Sequence, residues 1–345
     1  MTIRSNTPCR TVDAISSTPS RLGRARLLLV ALMLTPLAWY APQANAQAYP
    51  NKSIRIVVPF VPGGPADSLA RTIGERLAPR LGQPVIVENK PGASGSIGAD
   101  FVAKASPDGY TLLLTQIGDS IAVSLNRKLP YNFERDLAPV SLLGETPFII
   151  VVHPSVKATT VKEFIVLAKS QPGKLTFGSA GTGLASHLAG ELFSEVAGIE
   201  AVHVPYKGQA QATTDLLGGQ INYMFNNPVT SLPHIKSGGL RAIAVTGPTR
   251  LSAAPDVPTV AESGLSEYQV TAWFGVMTTA GTPPEVIALL SKEMATILQM
   301  PDVKDRLRAQ GVEPVGSTPA EFGQIIRRDI DRWAKLIKAR NINVQ

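Results

Sequence analysis

Residues Ile54 to Arg71 read IRIVVPFVPGGPADSLAR, an apolar strand that runs into a Pro-Gly-Gly loop and from there onto a helix. Pro62, Gly63 and Gly64 make the loop. The free N–H groups and positive dipole end of a helix N-terminus attract carboxylate or phosphate, so the arrangement reads as an anion seat. Glycine suits it, because the main chain can turn sharply and approach a ligand with no Cβ in the way. Asp67 can cap the helix from its N-terminal side. Taken alone, the same residues also describe an ordinary tight strand-to-helix turn.

Two later segments repeat the arrangement. The β-branched run from Val85 to Asn89 leads through Lys90-Pro91-Gly92-Ala93-Ser94-Gly95-Ser96-Ile97-Gly98 into a helix-like stretch from Ala99 to Lys104. Leu175 to Phe177 is again strand-like and continues through Gly178-Ser179-Ala180-Gly181-Thr182-Gly183 into a helix that carries Leu188, Leu192 and Phe193. Three such loops predict a shared ligand cleft.

The first 46 residues stand apart. Arg21, Arg24 and Arg26 precede an apolar run from Leu27 to Ala38, and Ala44-Asn45-Ala46 then offers small residues around a cut before Gln47. That order is the order of a secretory signal peptide. A run of about 12 residues broken by Pro36 is too short to span a bilayer, which takes roughly 20. Cys9, the single cysteine, lies before the apolar run, so it cannot be a lipid-modified residue at the cleavage site and the mature chain has no thiol. Removing the five arginines and the one aspartate of residues 1–46 leaves 28 basic and 25 acidic residues and lowers the formal net charge from +7 to +3. The basic balance belongs largely to the leader, which argues against a nucleic-acid partner. The expected location is the bacterial periplasm.

About 300 mature residues suffice for two domains with cores of their own. Short apolar strands alternate with amphipathic helices, which predicts parallel sheets flanked by helices. Leu69, Ile73, Leu77 and Leu81 lie four apart and form the buried stripe of the first helix, which Gly82 ends. Phe322, Ile325, Ile326, Ile330, Trp333, Leu336 and Ile337 do the same for the last helix, while Arg327, Arg328, Asp329, Asp331 and Arg332 read as its solvated face. Leu137 to Val152 and Tyr268 to Thr278 read as one outward and one returning crossing between lobes. The expected lobes are residues 47–146 with 276–345, and 147–275. All three glycine loops fall at the carboxyl ends of strands, where open α/β sheets bind ligands.

These segments carry a specific likeness. YPNKSIRIVVPFVPGGPADSLAR, VENKPGASGSIGADFVAKASPDGYTLLL, KLPYNFERDLAPVSLL, FGSAGTGLASHLAGELF, HVPYKGQAQATTDLLGGQINYMF, LPHIKSGGLRAIAVT and PDVPTVAESGL resemble, in order, the Bug family of periplasmic receptors, also known as the tripartite tricarboxylate transporter (TctC-like) substrate-binding family. The resemblance implies a two-lobed α/β periplasmic binding protein of type II, closing on a small carboxylate held by main-chain N–H groups, hydroxyls and ordered water rather than by an arginine clamp. Matched by motif, the ligand-binding positions are Pro62, Gly63, Gly64 and Asp67, then Ser94 and Gly95. The second lobe adds Ser179, Ala180, Gly181, Thr182 and Gly183, with Pro205 and Tyr206 at the rim. Two positions depart from the family pattern. Gln116 lies in Thr115–Ser120, where members carry a hydroxyl- and alanine-rich stretch, and Asn226 stands where members commonly carry Asp. Without that acid an ammonium group has no negative partner, which favours a plain carboxylate over an amino acid. The resemblance also implies a membrane permease or a sensor domain as partner, and the receptor is expected to act as a monomer.

Other chemistries find less support. Gly178 to Gly183 reads GxxGxG with no acid placed for a ribose, and no phosphate loop occurs, so no dinucleotide or other cofactor is expected. His153, His187, His203 and His234 are scattered without a metal-ligand spacing. The alternative from another class is a secreted serine hydrolase using Ser94 or Ser179, His187 as base and Asp67 or Asp215 as orienting acid, although no G-x-S-x-G is present.

Overall fold

The apolar run Ile54–Val58 forms strand β1, and the four-residue spacing after it forms helix α1 (Pro65–Leu81). The protein is described from a computed structural model covering residues 49–125 and 128–342. The expected leader lies outside the described residues. Leu69, Ile73 and Leu77 are fully buried in one cluster with Ile54, Ile56 and Val58. Pro65 opens α1 where its missing N–H is no loss, and Gly82 closes it in the left-handed region at φ 65°.

β2 (Val85–Asn89), α2 (Ser96–Ala103), β3 (Thr111–Gln116), α3 (Ile117–Ser124) and the long β4 (Leu137–Pro147) follow. A second sheet holds β5 (Ile149–Val152), β6 (Thr176–Ser179), β7 (Val202–Pro205), β8 (Tyr223–Asn226) and β9 (Arg241–Val245). Its helices are α4 (Val161–Ser170), α5 (Ala185–Ala197), α6 (Gln209–Leu217) and α7 (Pro228–Lys236). β10 (Thr271–Thr279) returns to the first sheet, followed by α8 (Pro284–Leu298), α9 (Pro301–Ala309), β11 (Glu313–Pro314) and α10 (Pro319–Ala339).

The strand orders are β11-β4-β10-β3-β1-β2 and β7-β6-β8-β5-β9. Each sheet has a parallel trio, β3-β1-β2 and β7-β6-β8, whose carboxyl ends carry the glycine loops. The remaining pairs are antiparallel, so each sheet is mixed. The two crossings cause this. β4 runs out and β10 runs back, and they pair antiparallel from Leu137↔Thr279 to Pro147↔Thr271.

One apolar cluster passes through both sheets, joining Leu113, Leu142, Trp273 and Phe322 to Ile150, Phe177, Phe225 and Tyr268. Helix α10 supplies much of it, with Phe322, Ile326, Trp333 and Leu336 buried and Ile325, Ile330 and Ile337 packed at the edge. Its charged face departs from expectation at one residue. Asp329 is 1% exposed and accepts a hydrogen bond from Trp273 Nε1 at 2.7 Å, because the indole is itself buried and needs an acceptor. Among the described residues no helix is long and apolar enough to cross a membrane.

Gly275 lies where β10 meets α10, and a Cβ there would overlap the Phe322 ring. Gly275→Ala is expected to cost about 1–3 kcal/mol of stability, as overpacking does in a dense core. Urea unfolding checks this, and an unchanged midpoint would contradict the packing described.

Candidate functional site

Asp67 organises the first loop from inside the helix. The N-cap is Gly64, which has no side-chain cap, and Asp67, three residues on, reaches back so that its Oδ2 accepts from Gly63 N at 3.0 Å. The expected cap is thus a strut one residue further upstream. Arg71 Nε donates to the same oxygen at 3.0 Å, and Asn89 Nδ2 to Oδ1 at 2.9 Å. Arg71 Nη2 in turn donates to Asn89 Oδ1 at 3.0 Å, and Asn89 Nδ2 also reaches the Phe60 carbonyl at 3.1 Å. The bond from Arg71, helped by those from Gly63 and Asn89 against the opposing effect of burial, holds the Asp67 carboxyl down to about 2. Its oxygens are therefore committed within the protein. The N–H groups of Gly64, Ala66 and Asp67 precede the first intrahelical bond, Ser68 N to Gly64 O at 3.0 Å, and have no acceptor among the described residues.

The second loop packs directly on the first. A Cβ on Gly98 would lie 2.8 Å from Pro59 Cβ, and one on Gly95 3.4 Å from the Phe60 ring. Four successive residues, Gly92, Ala93, Ser94 and Gly95, have φ of 132°, 46°, 56° and 96°. For Ala93 and Ser94 this conformation costs roughly 1–2 kcal/mol each. Such strain persists where the surroundings over-determine it, as at ligand sites. Ser94 is exposed, and its hydroxyl has no partner among the described residues. Gln116, at the end of β3, is half-buried and is the N-cap of α3. Its N–H donates to Asp119 Oδ2 at 3.0 Å, beside Thr115 Oγ1 at 2.6 Å. Burial raises the Asp119 carboxyl despite those two bonds.

In the second sheet the third loop is folded on itself. Ser179, fully buried at the end of β6, accepts from Gly181 N at 3.1 Å and lies 2.6 Å from His203 Nε2. Ala180 N donates to Ser186 Oγ at 3.1 Å and Gly183 N to His187 Nδ1 at 3.0 Å. Thr182 alone keeps both its N–H and its hydroxyl without an acceptor among the described residues. Pro205 is exposed at the end of β7, and Tyr206 N donates to the Ser179 carbonyl at 3.1 Å. The Tyr206 hydroxyl donates to Asp215 Oδ2 at 2.8 Å, and burial first, then Asp215, pushes the phenol up to about 12. Asn226 is fully buried: its Nδ2 donates to Thr213 Oγ1 at 3.1 Å, and its Oδ1 accepts from Asn227 N at 2.9 Å and Thr230 Oγ1 at 3.0 Å. It stands behind the loop surface.

The structure joins the first two loops by contact and gathers Ser179–Gly183, Pro205 and Tyr206 around the third. The free groups are donors, suited to an anion. Asp67, Asp119 and Asp215 each accept hydrogen bonds within the fold. Nor does a hydrolase triad form. The partner of Ser179 is His203 rather than His187, the serine is out of solvent's reach, and among the described residues no carboxylate is hydrogen-bonded to His203. The described residues contain no group of three metal-ligating side chains. A cavity of about 700 Å3 between α8 and α10, lined by Ile287, Ser291, Ala295 and Arg327, touches none of the three loops.

Sequence reading missed Arg71, Asn89 and Asp119, although the i,i+4 spacing of Asp67 and Arg71 was a signal. With its pKa lowered from about 3.8 to about 2 on folding, Asp67 stabilises the fold above pH 4, and that contribution is lost as the pH falls from about 4 to 2. Asp67→Asn is expected to be less stable at pH 7 by about 1–3 kcal/mol and to lack this segment of the acid dependence. Urea unfolding at stepped pH checks both, and a variant as stable as the wild type would contradict the strut.

The chain is similar to known proteins over most of its length. Residues 69–342 match the profile described as the tripartite tricarboxylate transporter family receptor. Protein BugT of Bordetella pertussis is 39% identical over 319 residues, which cover 92% of this chain and 98% of BugT. Among solved structures, R. palustris Rpa4515 with adipate is 34% identical with a TM-score of 0.70, covering 86% of this chain and 99% of that one. MatC from Rhodopseudomonas palustris with bound malate is 33% identical with a TM-score of 0.67, covering 84% and 100%. The two mixed sheets and their glycine loops are accordingly those of a two-lobed solute receptor, and the chain belongs to the tripartite tricarboxylate transporter receptor family.

Proposed function

We propose that the protein is a periplasmic receptor that captures a small plain carboxylate between two lobes, residues 47–146 with 276–345 and residues 147–275, after removal of a leader spanning residues 1–46. The observation that carries this reading is the pairing of unspent donors at Gly64, Ala66, Ser94 and Thr182 with the absence, among the described residues, of an unpartnered carboxylate beside them. Hydrogen bonds from preformed donors to a charged oxygen contribute roughly 1.5–3 kcal/mol each. Adipate and malate, bound by two similar receptors, are ligands of this class.

Binding closes the lobes about the β4 and β10 crossings, excludes water and changes the outer surface offered to a permease or a sensor domain. Pro62, Gly63 and Gly64 seat one carboxylate, Ser94 and Gly95 border it, and Ser179–Gly183 face it from the second lobe with Pro205 and Tyr206 at the rim. Asp67, Gln116 and Asn226 shape the walls from behind. The protein acts as a monomer without a cofactor and catalyses no reaction. Genomic neighbourhood distinguishes transport from sensing.

A native-state ligand at a hundred times its Kd stabilises a protein by about 2.7 kcal/mol. The mature protein is therefore expected to melt at higher temperature in the presence of adipate or malate, and to bind succinate more tightly than aspartate in calorimetry. Gly63 has φ 87° and open space around its missing Cβ, so Gly63→Val strains the loop and projects a side chain over the seat. That variant should lose the response. Silence towards all di- and tricarboxylates and aromatic acids, or tighter binding of aspartate, would overturn the reading.

A further inference from the structure

The third glycine loop is held by a chain of polar groups that begins in the other part of the fold. Gly183 N donates to His187 Nδ1 at 3.0 Å. That bond needs a lone pair on Nδ1, so the ring proton sits on Nε2, which faces Glu191 Oε1 at 3.6 Å. The other oxygen of Glu191 accepts from Arg340 Nε at 2.7 Å. His187 and Glu191 lie one turn apart on α5 and are 4% and 8% exposed, whereas Arg340 is the C-cap of α10. Burial works to raise the Glu191 carboxyl, but the contacts with His187 and Arg340 outweigh it and hold it below the ordinary range. His203 stacks on the His187 ring at a centroid distance of 3.7 Å, and burial with the neighbouring His187 lowers it to about 4, so it adds no charge of its own at neutral pH. Phe177 completes the stack, 6.3 Å from His187.

A buried carboxylate is costly to keep, and Arg340 alone would satisfy it without a histidine. We propose that Glu191, acting through His187, is a positioning residue for the ligand loop Ser179–Gly183, and that Arg340 ties the loop's position to the last helix of the first lobe. The inference rests on the receptor reading above for what the loop binds. Its physical content is a tautomer lock. A carboxylate, which cannot donate, favours the proton on Nε2 and leaves Nδ1 free to accept from Gly183. An amide at position 191 can still accept from Arg340 while presenting its NH2 to Nε2. The proton then moves to Nδ1, where it opposes the Gly183 N–H, and the loop loses its anchor beside Thr182.

The test uses the mature protein, 15N spectra of the histidine rings, hydrogen exchange at the Gly183 amide, and calorimetry with adipate and malate. Glu191→Gln should invert the His187 tautomer, expose Gly183 N–H to exchange and weaken dicarboxylate binding roughly tenfold, the worth of about one hydrogen bond. His187→Asn places an acceptor oxygen near the position of Nδ1 whatever stands at 191. The double variant Glu191→Gln with His187→Asn should therefore recover most of the affinity, a rescue that loss of a merely structural carboxylate would not show. The proposal is overturned if Glu191→Gln keeps the tautomer and the protected amide, if it loses both with affinity unchanged, or if the double variant binds no better than the single one. Should the wild type bind neither acid, the ligand class proposed above fails, while the tautomer and exchange data still decide whether Glu191 positions the loop.

Discussion

A backbone N–H can serve a ligand only if nothing in the protein takes it, yet the loop that carries it must still be held in place. This opposition governs the architecture. Helices α1, α2, α5 and α6 begin at or just beyond the carboxyl ends of parallel strands with Gly64, Gly95, Leu184 and Gly208 as N-caps, none of which offers a capping side chain. By contrast, Thr160 and Thr318 cap α4 and α10 with their hydroxyls. The uncapped ends keep their donors. Holding them falls to groups set further back: Asp67 with Arg71 and Asn89, Asp119 with Thr115, and His187 with Glu191.

The same logic accounts for where the acids of this region sit. Asp67 and Asp119 lie buried under their loops, trading solvation for bonds to the backbone they steady. The backbone N–H groups of Gly64, Ala66 and Thr182, which have no acceptor among the described residues, are complementary to a plain carboxylate. The β4–β10 pair, filled on one side by Trp273 and Phe322, links the sheets through a continuous apolar cluster.

Much of this was legible in the chain. The three glycine loops, the alternation of strands and helices and the stripe of α10 follow from local spacing, which is where periodicity carries information. Helix α3 escaped because Gly118, Ser120 and Ser124 are weak helix formers, and its formation rests on packing against α10. What local reading could not supply are bonds between distant residues. Asn89 meets Asp67 across 22 positions and Arg340 meets Glu191 across 149. His203, rather than the nearer His187, became the partner of Ser179 because parallel pairing of β6 and β7 sets Phe177 beside His203. Asp329 looked solvated because its acceptor role depends on an indole 56 residues away.

The receptor reading rests on backbone amides as the ligand's principal partners. Amide hydrogen exchange on the mature protein, with and without adipate or malate, tests that most directly. Protection should appear at Gly64, Ala66 and Thr182 on addition of the acid, while Gly63 and Gly183, already bonded to Asp67 and His187, change little. A response confined to other segments, or binding that leaves those three amides as exposed as before, would contradict it.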